Sequence, residues 1–491
     1  MEVEVEVKVE EERKLPLGVK IAYGLGSVAY GVKNNGFDYF LLLFYSQVIG
    51  LDARLVGVAI TIALVFDAIS DPVIGYWSDN VRSKLGRRHP FMYISALPVA
   101  LSYFFLWNPP ADWSDTGVFW YLLVLAVFIR TFITLYETPS SALTPELSDD
   151  YTERSSLLSF RYYFGWTGGN AMTVLMFFFI FPALATATIP DGRFNRDSYE
   201  ILGIIGSVLI FISIMVSAIG THSQIPFLRS PPPQRQMTLT NIFKEIFETL
   251  ANKSFLALFG AALLGAIASG LASALAFYFY TYFWGFTSIE TGIITMGVFI
   301  AALIGFVLAP IVTKHFGKRN GAMGIGLLAF IGAPLPVFLR LIDVLPANGE
   351  PFVFWFVFAT GVIDVGLIIC FGILFASMTA DLVEQSELKT GRRSEGVFFS
   401  SVTFVRKAVQ GLGLIMASFV LALAEFPSGA SVEQVTDESI WLLGAYYVPT
   451  VLTLWLGMIA AISFYKVDEE SHAATLKELK TKRKATADAA V

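Results

Sequence analysis

Long apolar runs separated by short polar breaks make up most of the 491-residue chain. Each run is about as long as a helix that crosses a bilayer, roughly 20 residues. The runs show no amphipathic pattern, so they indicate helices with little exposure to water. The predicted helices cover residues 18–47, 53–78, 90–108, 116–143, 155–184, 199–221, 254–284, 288–313, 320–341, 351–384, 396–425 and 437–465. We therefore expect an all-α membrane protein with twelve transmembrane helices.

One long polar stretch, residues 222–253, divides the predicted helices into two groups of six. It contains Ser230-Pro-Pro-Pro233 and then an amphipathic segment, Leu239 to Leu250, which predicts a short helix on the membrane surface. We predict two pseudo-symmetric six-helix bundles joined by this linker. The predicted boundaries are a tail over 1–17, bundles over 18–221 and 254–465, the linker over 222–253, and a second tail over 466–491.

Lysine and arginine are concentrated in the loops on one side of the predicted bundle. Arg82, Lys84, Arg87 and Arg88 all lie in the loop after the second helix. The loops on the opposite side hold only Arg54, Arg193, Arg196 and Arg340. Since loops rich in these residues stay in the cytoplasm, we expect both tails and the linker to be cytoplasmic, in the plasma (inner) membrane.

Composition supports this prediction and argues against several other functions. Hydrophobic residues make up 55% of the chain and charged residues 15%, well below the quarter that is typical of soluble domains. The single Cys370 excludes an intramolecular disulfide, and the four histidines are far apart and outside the predicted helices. No Walker A sequence is present. We expect no enzymatic activity, no cofactor and no nucleic-acid partner, but a monomer that binds a small-molecule substrate within the lipid bilayer.

Two carboxylates interrupt the second predicted helix, in Asp67-Ala-Ile-Ser-Asp71-Pro72. Four residues apart, Asp67 and Asp71 share one face of the helix, where two charges repel each other at high cost in a membrane. They can coexist if a cation lies between them or if one keeps its proton. The pair therefore predicts an ion-coupled transporter. A helix start with aspartate caps is the alternative, and the apolar residues before Asp67 argue against it.

The loop after the second helix is echoed in the second group of six. Gly75-x-x-x-Asp79 is followed by Gly86-Arg87-Arg88, and Lys314-His-Phe-Gly317-Lys-Arg319 follows the eighth helix. Such repetition is expected where two bundles rock about a central site. We predict that Asp79, Arg87 and Arg88 form a cytoplasmic gate. The alternative is that these charges only set the orientation in the membrane.

These loop motifs resemble the major facilitator superfamily. Within it, Asp-Ala-Ile-Ser-Asp-Pro resembles the glycoside–pentoside–hexuronide:cation symporter family, typified by melibiose permease. Further similar segments are Glu137-Thr-Pro-Ser-Ser-Ala-Leu-Thr-Pro145, Asp150-Tyr-Thr-Glu153-Arg154, Ala380-Asp381-x-x-Glu384, Thr390-Gly391-x-Arg393-x-Glu395-Gly396 and Thr403-x-x-x-Lys407. The resemblance covers the whole chain and implies secondary active transport, in which a cation and a sugar or glycoside move together by alternating access.

The resemblance also implies which residues bind the ion and the cargo. The cation site, for sodium or a proton, falls on Asp67, Ser70, Asp71 and Thr134, with Glu137 shared between cation and cargo. Substrate contacts fall on Arg161 and Lys407, and we add Lys33, Asn34, Trp166 and Thr403 as candidates. Sodium needs hard oxygen ligands, which two carboxylates and two hydroxyls provide at Asp67 and Asp71. The same residues serve equally well for a proton.

The first helix departs from the family pattern. Gly31 stands where the family has an aspartate that holds sugar hydroxyls, and Lys33 and Asn34 follow on the next turn. Related animal proteins carry lysophospholipids, so a lysophospholipid or another amphipathic molecule is the alternative cargo.

For several charged and aromatic residues, the sequence allows two interpretations. Glu137 either binds the cation or pairs with Arg130 or Lys407, and Lys407 either couples the two bundles or only neutralises acids. Asp364 either lines the cavity or is structural, with Arg406 as a possible partner. Trp166, in Gly165-Trp-Thr-Gly-Gly169, either stacks on a sugar ring or packs against another helix. The glycines of this run favour close helix packing.

Overall fold

The protein is built from helices. The computed structural model describes residues 15–148, 151–228, 253–332, 334–390, 409, 411–430, 432–466 and 477–478, and these contain no β-strand. The α-helices are α1 (Leu17–Leu25), α2 (Ser27–Asn35), α3 (Ala53–Asn80), α4 (His89–Leu106), α5 (Asp115–Leu147), α6 (Tyr151–Leu175), α7 (Arg196–His222), α8 (Lys253–Tyr278), α9 (Ser288–Phe316), α10 (Lys318–Gly332), α11 (Leu335–Leu341), α12 (Pro351–Thr390), α13 (Gly411–Leu423) and α14 (Asp437–Ser463). Nine of the described helices are long and apolar enough to cross a membrane.

Short helical pieces extend or connect these helices. Turns of π-helix occupy Gly36–Phe40, Phe44–Val48, Met176–Ile180 and Phe279–Phe283, and single α turns occupy Leu41–Leu43 and Phe181–Ala183. Turns of 3₁₀-helix occupy Gly192–Phe194, Ile225–Phe227 and Val432–Gln434. A π turn holds one more residue than an α turn. The helix predicted over 18–47 is therefore a chain of α and π pieces rather than one regular helix.

The predicted all-α membrane fold is confirmed, with local differences. The helix predicted over 320–341 is divided into α10 and α11, where Pro334 and Pro336 start a new turn because proline cannot donate a backbone hydrogen bond. The helix predicted over 396–425 is described only in part, as α13. The predicted surface helix from Leu239 to Leu250 lies outside the described residues, as do most of both tails.

Polar side chains fix where several helices begin. The Asp52 carboxylate accepts a hydrogen bond from the backbone N–H of Arg54 at 2.8 Å, just before α3. Ser114 caps α5 in the same way, and Thr287 and Glu290 form a reciprocal capping box at the start of α9. Such caps satisfy backbone N–H groups that have no partner within the helix. The polar loops thus set the ends of the apolar helices.

The helices form two sets with the same pattern of neighbours. In the amino-terminal set (residues 15–228), α3 packs on α5, and α4 packs on both α5 and α7. In the carboxy-terminal set (residues 253–466), α9 packs on α12, and α10 packs on both α12 and α14. The second, third, fourth and sixth membrane helices of each set therefore have equivalent contacts. This repeat is the arrangement of the major facilitator fold.

The described residues of the two sets meet mainly at one end of the bundle. We call the end near Leu15 and Lys466 the tail side and the opposite end the far side. At the far side, the Gly429 N–H donates to the carbonyl of Ser46 at 2.9 Å, and the Ala430 N–H donates to the Gln47 side chain at 3.3 Å. The Arg193 guanidinium donates to the Thr281 hydroxyl at 2.8 Å. These hydrogen bonds hold the two sets together where the π turns lie.

Candidate functional site

The two carboxylates of α3 are held together by one hydroxyl of α5. The Thr134 hydroxyl oxygen lies 2.8 Å from Oδ1 of Asp67 and 3.0 Å from Oδ1 of Asp71. A hydroxyl has one proton and can donate it to only one of these oxygens at a time. Three oxygens thus meet in one small space, with Asp67 and Thr134 buried. This geometry suits a cation or an additional proton between the two acids.

Arg130 lies one turn before Thr134 on α5 and contacts the same acid pair. Its Nη1 is 3.2 Å from Oδ2 of Asp67, and both side chains are buried. The guanidinium also lies over the ring of Phe37, 4.9 Å from its centroid. The two carboxylates and the guanidinium together carry one negative charge. The sequence suggests Arg130 as a partner of Glu137, whereas the structure pairs it with Asp67.

The other predicted ion ligands are near the pair in sequence but have different contacts. The Ser70 hydroxyl donates to the backbone carbonyl of Asp67 at 3.0 Å, within its own helix. Glu137 is half-buried and lies one turn after Thr134 on α5. No side chain of the described residues donates a hydrogen bond to the Glu137 carboxylate, so its oxygens can coordinate a cation or accept a hydrogen bond from a ligand.

Arg161 is held inside the amino-terminal set by hydroxyl groups. Its guanidinium donates to Tyr23 Oη at 3.1 Å, to Ser140 Oγ at 3.1 Å and to Ser141 Oγ at 2.8 Å. It also lies over the rings of Tyr23 and Tyr30, at 5.3 and 5.8 Å from their centroids. These contacts join Arg161, on the fifth membrane helix, to the first and fourth. Arg161 therefore has a fixed position, buried among these helices.

The first membrane helix presents different residues from those predicted. A Cβ on Gly31 would lie 1.9 Å from the carbonyl oxygen of Gly165, so α2 and α6 touch through their backbones there. This confirms that the Gly165–Gly169 run serves close packing. Lys33 is buried, with Nζ 6.0 Å from the centroid of Phe37. Asn34 is exposed and lines neither of the two cavities described below, whereas Asn35 lines the smaller one.

Trp166 packs across the two sets. Its indole meets the ring of Phe299 edge-on, with 4.8 Å between centroids, and Trp166 lines neither of the cavities described below. Of the two interpretations, the structure gives the helix-packing contact.

Two cavities adjoin each other between the sets. The smaller one, about 280 Å³, is lined by Asn35, Tyr39, Asn170 and Thr173 from the amino-terminal set and otherwise by the carboxy-terminal set. The larger one, about 950 Å³, is lined mainly by the carboxy-terminal set, with Tyr39 and Tyr162 from the other set. Asp67 and Asp71 line neither cavity. The acid pair and the two cavities therefore lie in different parts of the molecule.

The predicted gate arginines share one acid at the tail side. Nη2 of Arg87 lies 2.7 Å and Nε of Arg88 lies 3.1 Å from Oε1 of Glu146, near the end of α5. Arg88 also donates to the Ser78 hydroxyl at 2.7 Å. The loop after α3 is thus fastened to α5 within one set. In the other set, Lys318 forms the equivalent pair with Asp381 of α12, at 2.7 Å.

Some predicted residues cannot be placed, and some functional candidates were missed. Thr403, Arg406 and Lys407 lie outside the described residues, as does the side chain of Asp79. Glu146 was missed because a single acid after a proline has no signal of its own; only the pair of arginines it binds reveals it. Arg193 was treated as a loop charge, although it is buried against Thr281.

The chain is similar to known transporters over almost its whole length. A family model described as "MFS/sugar transport protein" matches residues 22–469. A putative glycoside/cation symporter of Escherichia coli, YagG, is 23% identical, with 97% of each chain covered. The sodium-dependent lysophosphatidylcholine symporter 1 of Gallus gallus is 24% identical, covering 96% of this chain and 91% of the relative.

The solved structures support the same fold. A bacterial homologue of the iron transporter ferroportin, in an inward-facing state, has a TM-score of 0.63 at 12% identity, covering 92% of this chain and all of that one. At that identity the likeness concerns the fold only. The family match and the symporter relatives show a multi-pass membrane transporter of a small molecule rather than an enzyme. The chain belongs to the MFS/sugar transport family of the major facilitator superfamily.

Proposed function

We propose that the protein couples the movement of a sodium ion or a proton to the uptake of a sugar or glycoside, by alternating access between its two sets of helices. The observation that carries this proposal is the Thr134 hydroxyl between Asp67 and Asp71. Two acids that share one hydroxyl proton in a membrane helix are unfavourable unless a positive charge joins them. The coupling ion supplies that charge.

The ion acts through the charge balance of the acid pair. Because Arg130 offsets the charge of Asp67, a single monovalent cation neutralises these three side chains. Sodium would take carboxylate and hydroxyl oxygens from Asp67, Asp71 and Thr134, whereas a proton would reside on one carboxyl. In either case, the repulsion between the two carboxylates of α3 is removed, and both can keep their contact with the Thr134 hydroxyl of α5. Coupling requires that ion and cargo favour the same conformation.

The proposal also includes the membrane in which the chain lies and its orientation there. We place both tails in the cytoplasm, the chain in the plasma (inner) membrane as a monomer, and the two bundles at 18–221 and 254–465. With this orientation, the hydrogen bonds of Ser46, Gln47 and Arg193 close the outer side. Arg87 and Arg88, which are fastened to Glu146, belong to the cytoplasmic gate.

The cargo class rests on the cavities and on the relatives. Hydroxyl and amide groups of Asn35, Asn170 and Thr173 in the smaller cavity suit the hydroxyls of a sugar, and the larger cavity suits the apolar part of a glycoside. The Escherichia coli relative is named as a putative glycoside/cation symporter, which agrees with this assignment.

A lysophospholipid is the second candidate cargo. The larger cavity has mostly alanine, glycine and aromatic side chains on its walls, which suit an acyl chain. The avian relative is named for sodium-dependent lysophosphatidylcholine transport. Gly31 also lacks the carboxylate with which the resemblance would bind sugar hydroxyls.

The test is uptake by proteoliposomes under an imposed sodium or proton gradient, with a panel of glycosides, pentosides, uronides and lysolipids. We expect one cargo class to accumulate in wild type. Asp71→Asn should abolish that accumulation, because a neutral amide removes the negative charge that attracts the ion.

The matched control is Asp112→Asn, an exposed aspartate in the loop before α5, which should transport like wild type. Both variants must insert and purify like wild type. Undiminished gradient-driven accumulation in Asp71→Asn would show that the acid pair does not couple transport to the ion.

A further inference from the structure

A second buried carboxylate lies in the carboxy-terminal set, far along the chain from the acid pair. Asp364 is on α12, is only 8% exposed, and lines the larger cavity. Room for it comes from Gly332 at the end of α10, where a Cβ would lie 2.4 Å from Oδ1 of Asp364. The two interpretations from the sequence were a structural role and a cavity position, and the structure gives the cavity position.

The described part of the chain supplies no partner for this carboxylate. None of these residues donates a hydrogen bond to Asp364 or forms an ion pair with it, in contrast to Asp67 and Asp381. A lone carboxylate is costly in a membrane interior, and intramembrane acids are normally paired or face a substrate pathway. Because Asp364 lines the cavity, a positive group that enters there can pair with its charge.

The walls of the larger cavity favour an organic cation. Tyr280, Tyr447 and Trp455 contribute aromatic rings, and no lysine or arginine is among the described residues that line it. Aromatic faces attract ammonium groups, and the attraction grows when the site excludes water. Gly361, one turn before Asp364, has open space where a side chain would be, so the carboxylate can be reached.

We propose that Asp364 binds an ammonium group carried by the cargo. The group can come from an amino sugar or from the headgroup of a lysophospholipid, since both present a positive nitrogen attached to a polar or apolar body. The proposal rests on the proposed function in one respect, namely that the cargo occupies the larger cavity. It adds a charge requirement that separates cargo molecules of the same size.

The experiment measures equilibrium binding to the full chain in lipid nanodiscs, by tryptophan fluorescence. Two pairs of probes differ in the ammonium group: galactosamine against galactose, and lysophosphatidylcholine against lysophosphatidylglycerol. In wild type, the ammonium member of one pair should bind at least about tenfold more tightly, which corresponds to about 1.4 kcal/mol. The pair that shows this preference identifies the source of the ammonium group.

Asp364→Asn should remove the preference by leaving an amide of the same size. The matched control is Asp343→Asn, an exposed aspartate of the same set with a positive φ of 56°, where asparagine is well tolerated. A second variant, Thr360→Lys, places an internal ammonium one turn before Asp364 on the cavity wall. It should abolish the preference while keeping the carboxylate.

Two results would overturn the proposal: no preference for either ammonium probe in wild type, or a preference that survives both Asp364→Asn and Thr360→Lys. Failure of the proposed function gives different results. Ammonium binding that depends on Asp364, without uptake driven by any ion gradient, would leave this proposal intact and contradict symport. Gradient-driven uptake of galactose, with neither ammonium probe preferred by wild type, would support symport and contradict this proposal.

Discussion

The two sets of helices share one pattern of contacts but treat buried charge differently. In the amino-terminal set, Asp67 is paired with Arg130, Arg87 and Arg88 share Glu146, and Arg161 donates to three hydroxyls. In the carboxy-terminal set, Asp364 lines a wide, mainly apolar cavity, with no partner in the described part of the chain.

This difference shows how one repeated architecture can divide two tasks. A dense cluster of charges with internal partners can bind a small ion, because adding one charge alters every interaction in the cluster. A wide cavity with a lone charge can accept a larger molecule, because there is space and little internal competition. The following changes test this division, beginning with the largest expected effect on stability.

Arg130→Met should be the most damaging change in the amino-terminal set. It leaves the buried carboxylate of Asp67 without its guanidinium, and breaking a buried ion pair from one side costs about 3–5 kcal/mol. Thermal unfolding of the purified protein would measure the loss. The double variant Asp67→Asn with Arg130→Met should recover much of it, and no recovery would mean that Arg130 is important for contacts other than this pair.

Gly31→Ala, in the amino-terminal set, should lower stability more than Gly361→Ala, in the carboxy-terminal set, because only Gly31 lies at a close helix contact. The added methyl at position 31 meets the Gly165 carbonyl at 1.9 Å, so α2 and α6 must move apart, at a cost of about 3 kcal/mol. At position 361 the methyl enters open space, so Gly361→Ala should unfold like wild type and only reduce the cavity. Equal destabilisation by both would contradict the contrast between a close helix contact and an open wall.

Glu146→Gln and Asp381→Asn compare the two equivalent ion pairs at the tail side. Glu146→Gln should cost about 2 kcal/mol, because two nearly buried arginines lose a charged acceptor. Asp381→Asn should cost less than about 1 kcal/mol, since the Lys318 side chain is 30% exposed and water replaces part of the interaction. Denaturation midpoints of the two variants provide the comparison, and the reverse order would contradict it.

The fold was predictable because membrane helices leave a long apolar signal. Most helix ends agree with the predicted ranges within a few residues, since caps such as Asp52 and Thr287 mark them in the sequence. The π turns were not predicted, because one extra residue in a turn changes neither the length nor the hydropathy of a run. In the sequence, only Pro334 and Pro336 mark the break before α11.

The candidate site was predictable in its acids but not in its pairings. The spacing of Asp67 and Asp71 puts them on one face without further information, and the resemblance adds Thr134. Which acid contacts Arg130 depends on the rotation of α3 and α5 about their axes as they pack. A single sequence does not specify this rotation. The exchange of Asn34 for Asn35 at the cavity has the same origin, because one residue is about 100° of helix rotation.

The π turns change the rotational position of the side chains that follow them in the same helix. A turn with one extra residue shifts all later side chains around the axis by about 100° relative to a continuous α-helix. Ser46 and Gln47 lie within one such turn and Tyr282 within another, and these residues form the hydrogen bonds near the far side. The contact between the sets at the far side is therefore set by the rotation of the helices as much as by residue identity. A deletion of Phe44 or Tyr45 would turn Gln47 away from its partners without changing Gln47 or the residues it contacts.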